Sequence, residues 1–450
     1  MTLRAIPLAQ PIQGPVRTRD FPLRSTMLAA LATLIPALLL TDPMLVWPLL
    51  YAEQQAAQAG ALLSRGVYTT FVLHKIWIPP LFLMASALFA LAWKRVPGFH
   101  LTTTGWWIAT FLWFALTVSW ALVPGIAMSR LILQVMIAAT LYFAFCASNR
   151  PGDILTCIYW LFVATIFLNL AAVLTQTPSP IGYQGIYEHK NYLGAVVALG
   201  FFFVLWKCGT GERLHLLVAA VALPVCLFLL VMSQSKTSAG LLFISLGLGT
   251  VSAFFARFLR MPAILTFLLA LVAVVFVILF VNAMFGLPLT RQIELLTGDA
   301  TFTGRTGLWV FTLEHFADRP LYGFGFRSFW DIGDASPSLR TGMGFLSTAT
   351  AAHSGYLDIM LNGGWIALLL FMPVLLIALQ LCGRIARKDL FEGTMLSTIL
   401  YFFIFHNMLE TTFFYGAHAL FVLFQIVWLY IIFTAPRRSS GRSDKRHFKA

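Results

Sequence analysis

Apolar runs close to twenty residues long recur along almost the whole chain, and no other feature limits its fold so strongly. They lie near 27–50, 67–93, 105–122, 131–147, 154–175, 192–206, 214–232, 238–256, 262–284, 358–381, 395–411 and 417–434. About twenty helical residues cross the hydrocarbon core of a bilayer. Inside that core only a helix or a closed barrel satisfies its own backbone. The pattern therefore predicts an all-α integral membrane protein with about twelve transmembrane helices. Composition agrees: 10% of the 450 residues are charged, against roughly 25% in soluble domains. With a mean hydropathy of +0.84, there is too little polar surface for a water-soluble globule.

The net charge of +13 does not point to nucleic acid, because the basic residues stand in short connections and tails. With the N-terminus in the cytoplasm, 20 of the 30 Lys and Arg residues fall in cytoplasmic segments, as the positive-inside rule requires. The expected layout is a cytoplasmic tail over 1–26, helices one to nine over 27–284 and an outer loop over 285–357. Helices ten to twelve over 358–434 and a basic cytoplasmic tail over 435–450 complete it. No cleavable signal peptide is expected in the polar stretch 1–26, which carries Arg4, Arg17, Arg19 and Arg24. All five cysteines lie in apolar runs or beside cytoplasmic connections, so neither a disulfide framework nor a zinc site is expected.

Connections as long as 285–357 are usually functional or disordered. This one contains an amphipathic stretch from Arg305 to Phe316, with Leu308, Trp309, Leu313 and Phe316 on one helix face, and then Pro320, Gly323 and Gly325, which end a helix. It reads as a small helical cap.

Ten basic residues stay on the outer side or in the membrane, where the topology rule gives them no reason to be. Several stand in short polar words at helix ends: Tyr187-Glu188-His189-Lys190-Asn191, Ser233-Gln234-Ser235-Lys236-Thr237-Ser238, Gly304-Arg305, Ala352-His353-Ser354-Gly355-Tyr356 and Asn407-Met408-Leu409-Glu410. Ionisable groups at membrane depth are costly and mark sites by default. Lys and Arg bind phosphate through charge-assisted bonds, and His takes a proton near neutral pH. Cations beside one or two histidines at the outer surface suit a substrate with a lipid tail and a phosphate-linked head group.

Plainer readings stand beside these. Lys236 fits a snorkelling helix-end lysine, and Arg305 could pair with Glu314 or Asp318. His189 and Lys190 could be a solvated loop, His353 a cap, and Arg327 purely structural. His406 and Glu410 lie one turn apart and could satisfy each other. Trp106, Trp107 and Trp120 fit the interfacial aromatic belt, and His74 and Lys75 fit interfacial positions.

The words also carry a resemblance. Gly185-Ile186-Tyr187-Glu188-His189-Lys190-Asn191-Tyr192-Leu193-Gly194 resembles the "G-x-[FY]-x-H-K-N-x-L-G" word of the O-antigen ligase and Wzy-type polymerase superfamily, and within it the ExoQ-like exopolysaccharide polymerases. The word around Lys236 resembles that family's next word, in which Arg is common at this position. Gly304-Arg305-Thr306-Gly307-Leu308-Trp309 followed by Pro320, Gly323 and Gly325 resembles its outer-loop word. Ala352-His353-Ser354-Gly355-Tyr356-Leu357 resembles "A-H-N-x-Y-L", with Ser354 for Asn, and Asn407 with Glu410 resembles a late "N-x-x-E".

The resemblance implies a metal-independent, cofactor-free membrane glycosyltransferase in a bacterial inner membrane, both termini cytoplasmic. It would polymerise undecaprenyl-pyrophosphate-linked oligosaccharides into exopolysaccharide, with a chain-length regulator and export proteins as partners. His353, with His189 as a second candidate, would activate the acceptor hydroxyl. Lys236 and Arg305 would hold the pyrophosphate, helped by Lys190, Asn191, Glu410 and Arg327. Two alternatives remain: an O-antigen ligase passing glycan to a lipid A core, and a transporter. A transporter predicts paired halves and helices broken near the membrane midplane.

Overall fold

The computed structural model describes residues 66–92, 101–148, 150–176, 182–187, 189–288, 305–341, 344–347 and 349–436, with 30, 32–38, 40 and four residues between 291 and 295. The expected tails and most of the first apolar run lie outside them, as do Glu188, Gly304 and the side chains of His74 and Lys75. Within the described residues the chain is helical. In order the helices are α1 (Gly66–Ala92), α2 (Leu101–Thr117), α3 (Pro124–Ala147), α4 (Pro151–Thr175), α5 (Lys190–Cys208), α6 (Arg213–Ser233), α7 (Lys236–Phe258), α8 (Ala263–Phe285), α9 (Arg305–Asp318), α10 (Gly355–Lys388), α11 (Leu390–Leu409) and α12 (Ala419–Thr434). Seven of them, α3 to α8 and α10, are long and apolar enough to cross a membrane. The protein is thus a multi-pass membrane protein by length and composition of its helices.

The core forms around α12. Every residue from Ala419 to Ile432 is buried, as expected of a helix that is apolar all round. It is enclosed by α3, α4, α10 and α11. Trp107 on α2 belongs to this core and not to an interfacial belt: it is 7% exposed and its ring stacks on Trp428 at 5.0 Å and Phe414 at 5.7 Å. Hydropathy cannot distinguish an indole facing a neighbouring helix from one facing lipid. By contrast, most large side chains of α8, from Leu265 to Phe285, are exposed. Such a face needs no protein partner where the surroundings are as apolar as leucine.

α10 is not the single continuous helix that its apolar run predicts. Gly364 is non-helical, with φ 71° and ψ −169°, and breaks α10 one third of the way along. The freed backbone groups are taken up by the chain that follows α9. Phe324 N–H donates to Leu361 O at 2.7 Å, Trp365 N–H to Pro320 O at 2.8 Å and Ile366 N–H to Leu321 O at 3.4 Å. Trp113 Nε1 donates to Gly363 O at 2.7 Å, and Arg327 N–H to Asn362 Oδ1 at 3.0 Å. A helix can break at membrane depth only where protein satisfies the freed groups, and the 320–327 segment together with Trp113 of α2 does so here.

Around this junction lies a second, smaller apolar cluster: Leu308, Phe311, Phe316, Phe324, Phe329, Trp330, Leu346, Ala352, Met360 and Leu361. It fastens α9 and the following loop onto the first part of α10. Burying one such aromatic is worth about 1.5–3 kcal/mol, so this amphipathic segment docks by its apolar face. Its first residue, Arg305, is thereby held at one end of the bundle.

Candidate functional site

The site is built from three helix starts and two loops. His189 is the N-cap of α5 and accepts the Asn191 N–H at Nδ1, 3.1 Å away. Ser235 is the N-cap of α7, accepting the Ser238 N–H, and its hydroxyl donates to Asn191 Oδ1 at 3.2 Å. This close approach of α5 to α7 depends on Gly194, where any Cβ would stand 2.7 Å from both Ser235 Cβ and Ser238 Oγ. Arg305 opens α9.

These elements meet at Glu410, the residue that ends α11. Its Oε1 accepts from the Arg305 guanidinium and from Asn191 Nδ2 at 2.7 Å. Its Oε2 faces His353 Nδ1 at 3.1 Å. Three of the five polar words therefore touch a carboxylate that the fourth supplies, and the fifth reaches it through Ser235 and Asn191. Arg305 does not pair with Glu314 or Asp318. Glu410 does not pair with His406 either: His406 is buried, stacks on Phe402 at 5.4 Å, and its Nδ1 makes no hydrogen bond within the protein.

Burial by itself would raise the Glu410 pKa. The hydrogen bond from His353 and the charge of Arg305 outweigh it and hold the group at about 2. An ionised carboxylate only accepts, so His353 Nδ1 must carry the hydrogen, and the neutral ring presents a free lone pair at Nε2. His353 is half exposed, whereas Arg305 and Glu410 are 11% and 14% exposed. The reverse holds for His189. Its Nδ1 already accepts a backbone N–H, so its neutral ring carries the proton at Nε2 and can only donate there. Although the residue is exposed, partial desolvation, with the charges of Lys190 and Arg305 beside it, lowers its pKa, which favours this neutral form.

Lys190, Lys236 and Arg305 are the first residues of α5, α7 and α9. A helix N-terminus is itself electropositive, so cations there oppose the dipole and an anion is favoured. Among the described residues, three cations stand against the one carboxylate of Glu410. Lys236 is exposed and Lys190 partly buried.

Arg327 stands apart from Glu410. Its guanidinium lies over the Tyr415 ring at 4.5 Å and lines a cleft with Trp330, Asp358 and Thr411. Sequence reasoning missed two groups nearby. Arg130, buried on α3, donates to the carbonyls of Arg327 at 2.6 Å, Trp330 at 3.1 Å and Asp331 at 2.6 Å. His418, the N-cap of α12, is kept neutral by burial, with its pKa lowered to about 3. For Arg130 the signal was available, as an arginine within an apolar run.

Glu410→Gln gives a direct check on these electrostatics. Removing one partner of a nearly buried pair costs about 3 kcal/mol, so the variant should melt several degrees below the parent. The Glu410 pKa lies below the ordinary glutamate value. Its contribution is therefore complete above that value and is lost as pH falls toward 2. The melting difference between parent and variant should be constant from about pH 5 to 8 and shrink below about pH 4. A difference that grows on acidification would contradict the assigned charge.

Residues 222–372, about a third of the chain, match the O-antigen ligase family model, Wzy_C. The match contains Lys236, Arg305, Arg327 and His353; His189, Lys190, Asn191 and Glu410 lie outside it. No curated protein matches the chain. Residues 222–372 are thus similar to the O-antigen ligase family domain.

Proposed function

We propose that this protein is an exopolysaccharide polymerase. It would join oligosaccharide repeat units carried on undecaprenyl pyrophosphate, at the periplasmic face of a bacterial inner membrane. The observation that carries the reading is the convergence of Arg305, Asn191 and His353 on Glu410. The acceptor sugar hydroxyl gives its proton to His353 Nε2 as its oxygen bonds to the anomeric carbon of the donor. The bond from that carbon to the pyrophosphate oxygen breaks, and lipid pyrophosphate leaves with the electron pair. Glu410 fixes the tautomer of His353 and stabilises the imidazolium, as carboxylates do in Ser-His-Asp enzymes. Lys236, Lys190 and the remaining N–H groups of Arg305 hold the departing pyrophosphate, which needs positive charge more than an acid. No step calls on a metal. Arg327 holds glycan beside the site, and His189 donates from Nε2.

The family description is equally compatible with a second reading, an O-antigen ligase, which would deliver glycan to a lipid A core. The two share this chemistry and differ in acceptor. Transport gains nothing from the break in α10, because its polar groups are occupied by the 320–327 segment.

The test is transfer by purified protein in vesicles. Lipid-linked repeat units would be offered alone, or together with lipid A core oligosaccharide. Ladders of polymer from repeat units alone are expected. Glycan on the core with no ladder would make the protein a ligase, and no transfer to either would remove the enzymatic reading. Reporter fusions after residues 185, 235 and 320 should report periplasm, and those after 95, 210, 260 and 388 cytoplasm. A cytoplasmic signal at 320 would put the site on the wrong side.

A further inference from the structure

We propose that Asp358 is a positioning residue that locks His353 and Glu410 into one register, an inference that rests on His353 acting as the base. Asp358 lies in the first turn of α10 and is 5% exposed. An acid in a first helical turn is ordinary, since it complements the dipole. This one, however, accepts its side-chain hydrogen bonds from three other places in the chain. Oδ1 accepts from Trp330 Nε1 at 2.8 Å and from Ala352 N–H at 3.2 Å. Oδ2 accepts from the same N–H at 3.1 Å and from the Thr411 hydroxyl at 2.6 Å. Ala352 immediately precedes His353, and Thr411 immediately follows Glu410. One carboxylate therefore ties down the neighbour of each member of the dyad, with Trp330 of the outer loop as a third anchor.

His353 needs such an anchor. Its φ is +47°, a left-handed conformation that a non-glycine residue keeps only where its surroundings dictate it. On one side Trp309 Nε1 holds the Ala352 carbonyl at 3.1 Å. On the other, Gly355 N–H donates to Glu410 O at 3.1 Å. Asp358 bonds to both the 352 and the 411 segments. Its hydrogen bonds to Ala352 N–H and the Thr411 hydroxyl hold the two segments in place. Without them the segment can relax out of the left-handed region, and the imidazole swings away from Oε2. A misplacement of about 1 Å can cost about 100-fold in rate.

The experiment compares Asp358→Ala, Asp358→Asn and Thr411→Val with the parent in the vesicle assay, per folded molecule. Asp358→Ala should lower kcat by about 100-fold and leave KM for the lipid-linked donor within about threefold, because Arg305, Lys190 and Lys236 are untouched. Asp358→Asn should recover most of the loss. Its amide oxygen still accepts from Trp330 and Ala352, and its amino group can donate to the Thr411 hydroxyl. Thr411→Val, which removes one anchor and nearly preserves volume, should fall between parent and Asp358→Ala. Parental kcat in Asp358→Ala would overturn the proposal, as would Asp358→Asn as inactive as Asp358→Ala, or a rise in KM equal to the fall in kcat. If Asp358→Ala does not fold, Thr411→Val decides: a lowered kcat at constant KM supports the register, and parental kcat overturns it. If the parent transfers no glycan, the functional reading fails and the register is read separately. Diethyl pyrocarbonate labelling of His353, followed by peptide mass spectrometry, should then change several-fold in Asp358→Ala or Thr411→Val. Unchanged labelling in both would overturn it.

Discussion

His353→Gln is expected to abolish glycan transfer while the protein still captures its lipid-linked donor, and Arg305→Ala to abolish capture itself. Both follow from the geometry at Glu410. A sugar hydroxyl is a poor nucleophile near neutral pH, and a positioned base contributes about 10²–10⁴-fold. Glutamine approximates the imidazole in length and can donate to Glu410, but it has no basic lone pair for the acceptor proton. The loss should therefore fall within that range at unchanged donor affinity. Arg305 sits on the opposite side of the carboxylate and is expected to provide forked donors to the pyrophosphate. Its removal also leaves Glu410 as a nearly buried, less compensated anion, which repels the incoming phosphates. Donor photocrosslinking beside the transfer assay separates the two effects. If His353→Gln transfers at the parental rate, the base is elsewhere. His189 does not fill the role in the form described, since its Nδ1 is occupied by the Asn191 N–H.

Gly364→Ala is expected to be among the most damaging single changes in the fold. The backbone there occupies φ 71°, ψ −169°, a region essentially closed to residues with a Cβ. A Cβ would also stand 2.0 Å from Leu321 O and 2.4 Å from Tyr322 N, both backbone atoms that cannot swing aside. Strain alone costs about 1–3 kcal/mol, and relieving the clash would pull the 320–327 segment off the broken helix. A lowered melting temperature in detergent and a low yield of inserted protein are expected, with transfer lost in whatever survives. Gly247→Ala is the control. Gly247 lies within α7 with nothing within 4 Å of its added Cβ, so alanine should be neutral or stabilising by up to about 1 kcal/mol. Equal melting temperatures for the two variants would mean that α10 is continuous.

The apolar runs and polar words were legible in the sequence because each is local. All eleven runs from residue 67 onward overlap a helix, and the words at 189–191, 235, 305, 353 and 410 meet. What could not be read was the pairing. Asn191 and Glu410 are 219 residues apart, and nothing in either word says that Glu410 chooses Arg305 and His353 over His406, its neighbour in the helix. Trp107 was misplaced because an apolar run looks the same from lipid and from protein. The break in α10 left a trace in the doublet Gly363-Gly364, a turn signal, but an otherwise apolar run of helix-forming residues hid it. Asp358 stands in none of the polar words, and its partners come from three distant segments.

The burial of α12 has a consequence for how the protein is made. Chains enter the membrane from the N-terminus as they are synthesised, and α12 leaves the ribosome after every helix that encloses it. Until it arrives, the earlier helices surround an unfilled centre lined by groups such as Trp107, Phe371 and Phe403. Glu410, which caps α11, lies nine residues before the start of α12, so the site and the central helix are completed one after the other. A nascent chain halted short of residue 419 therefore lacks the helix that fills this centre.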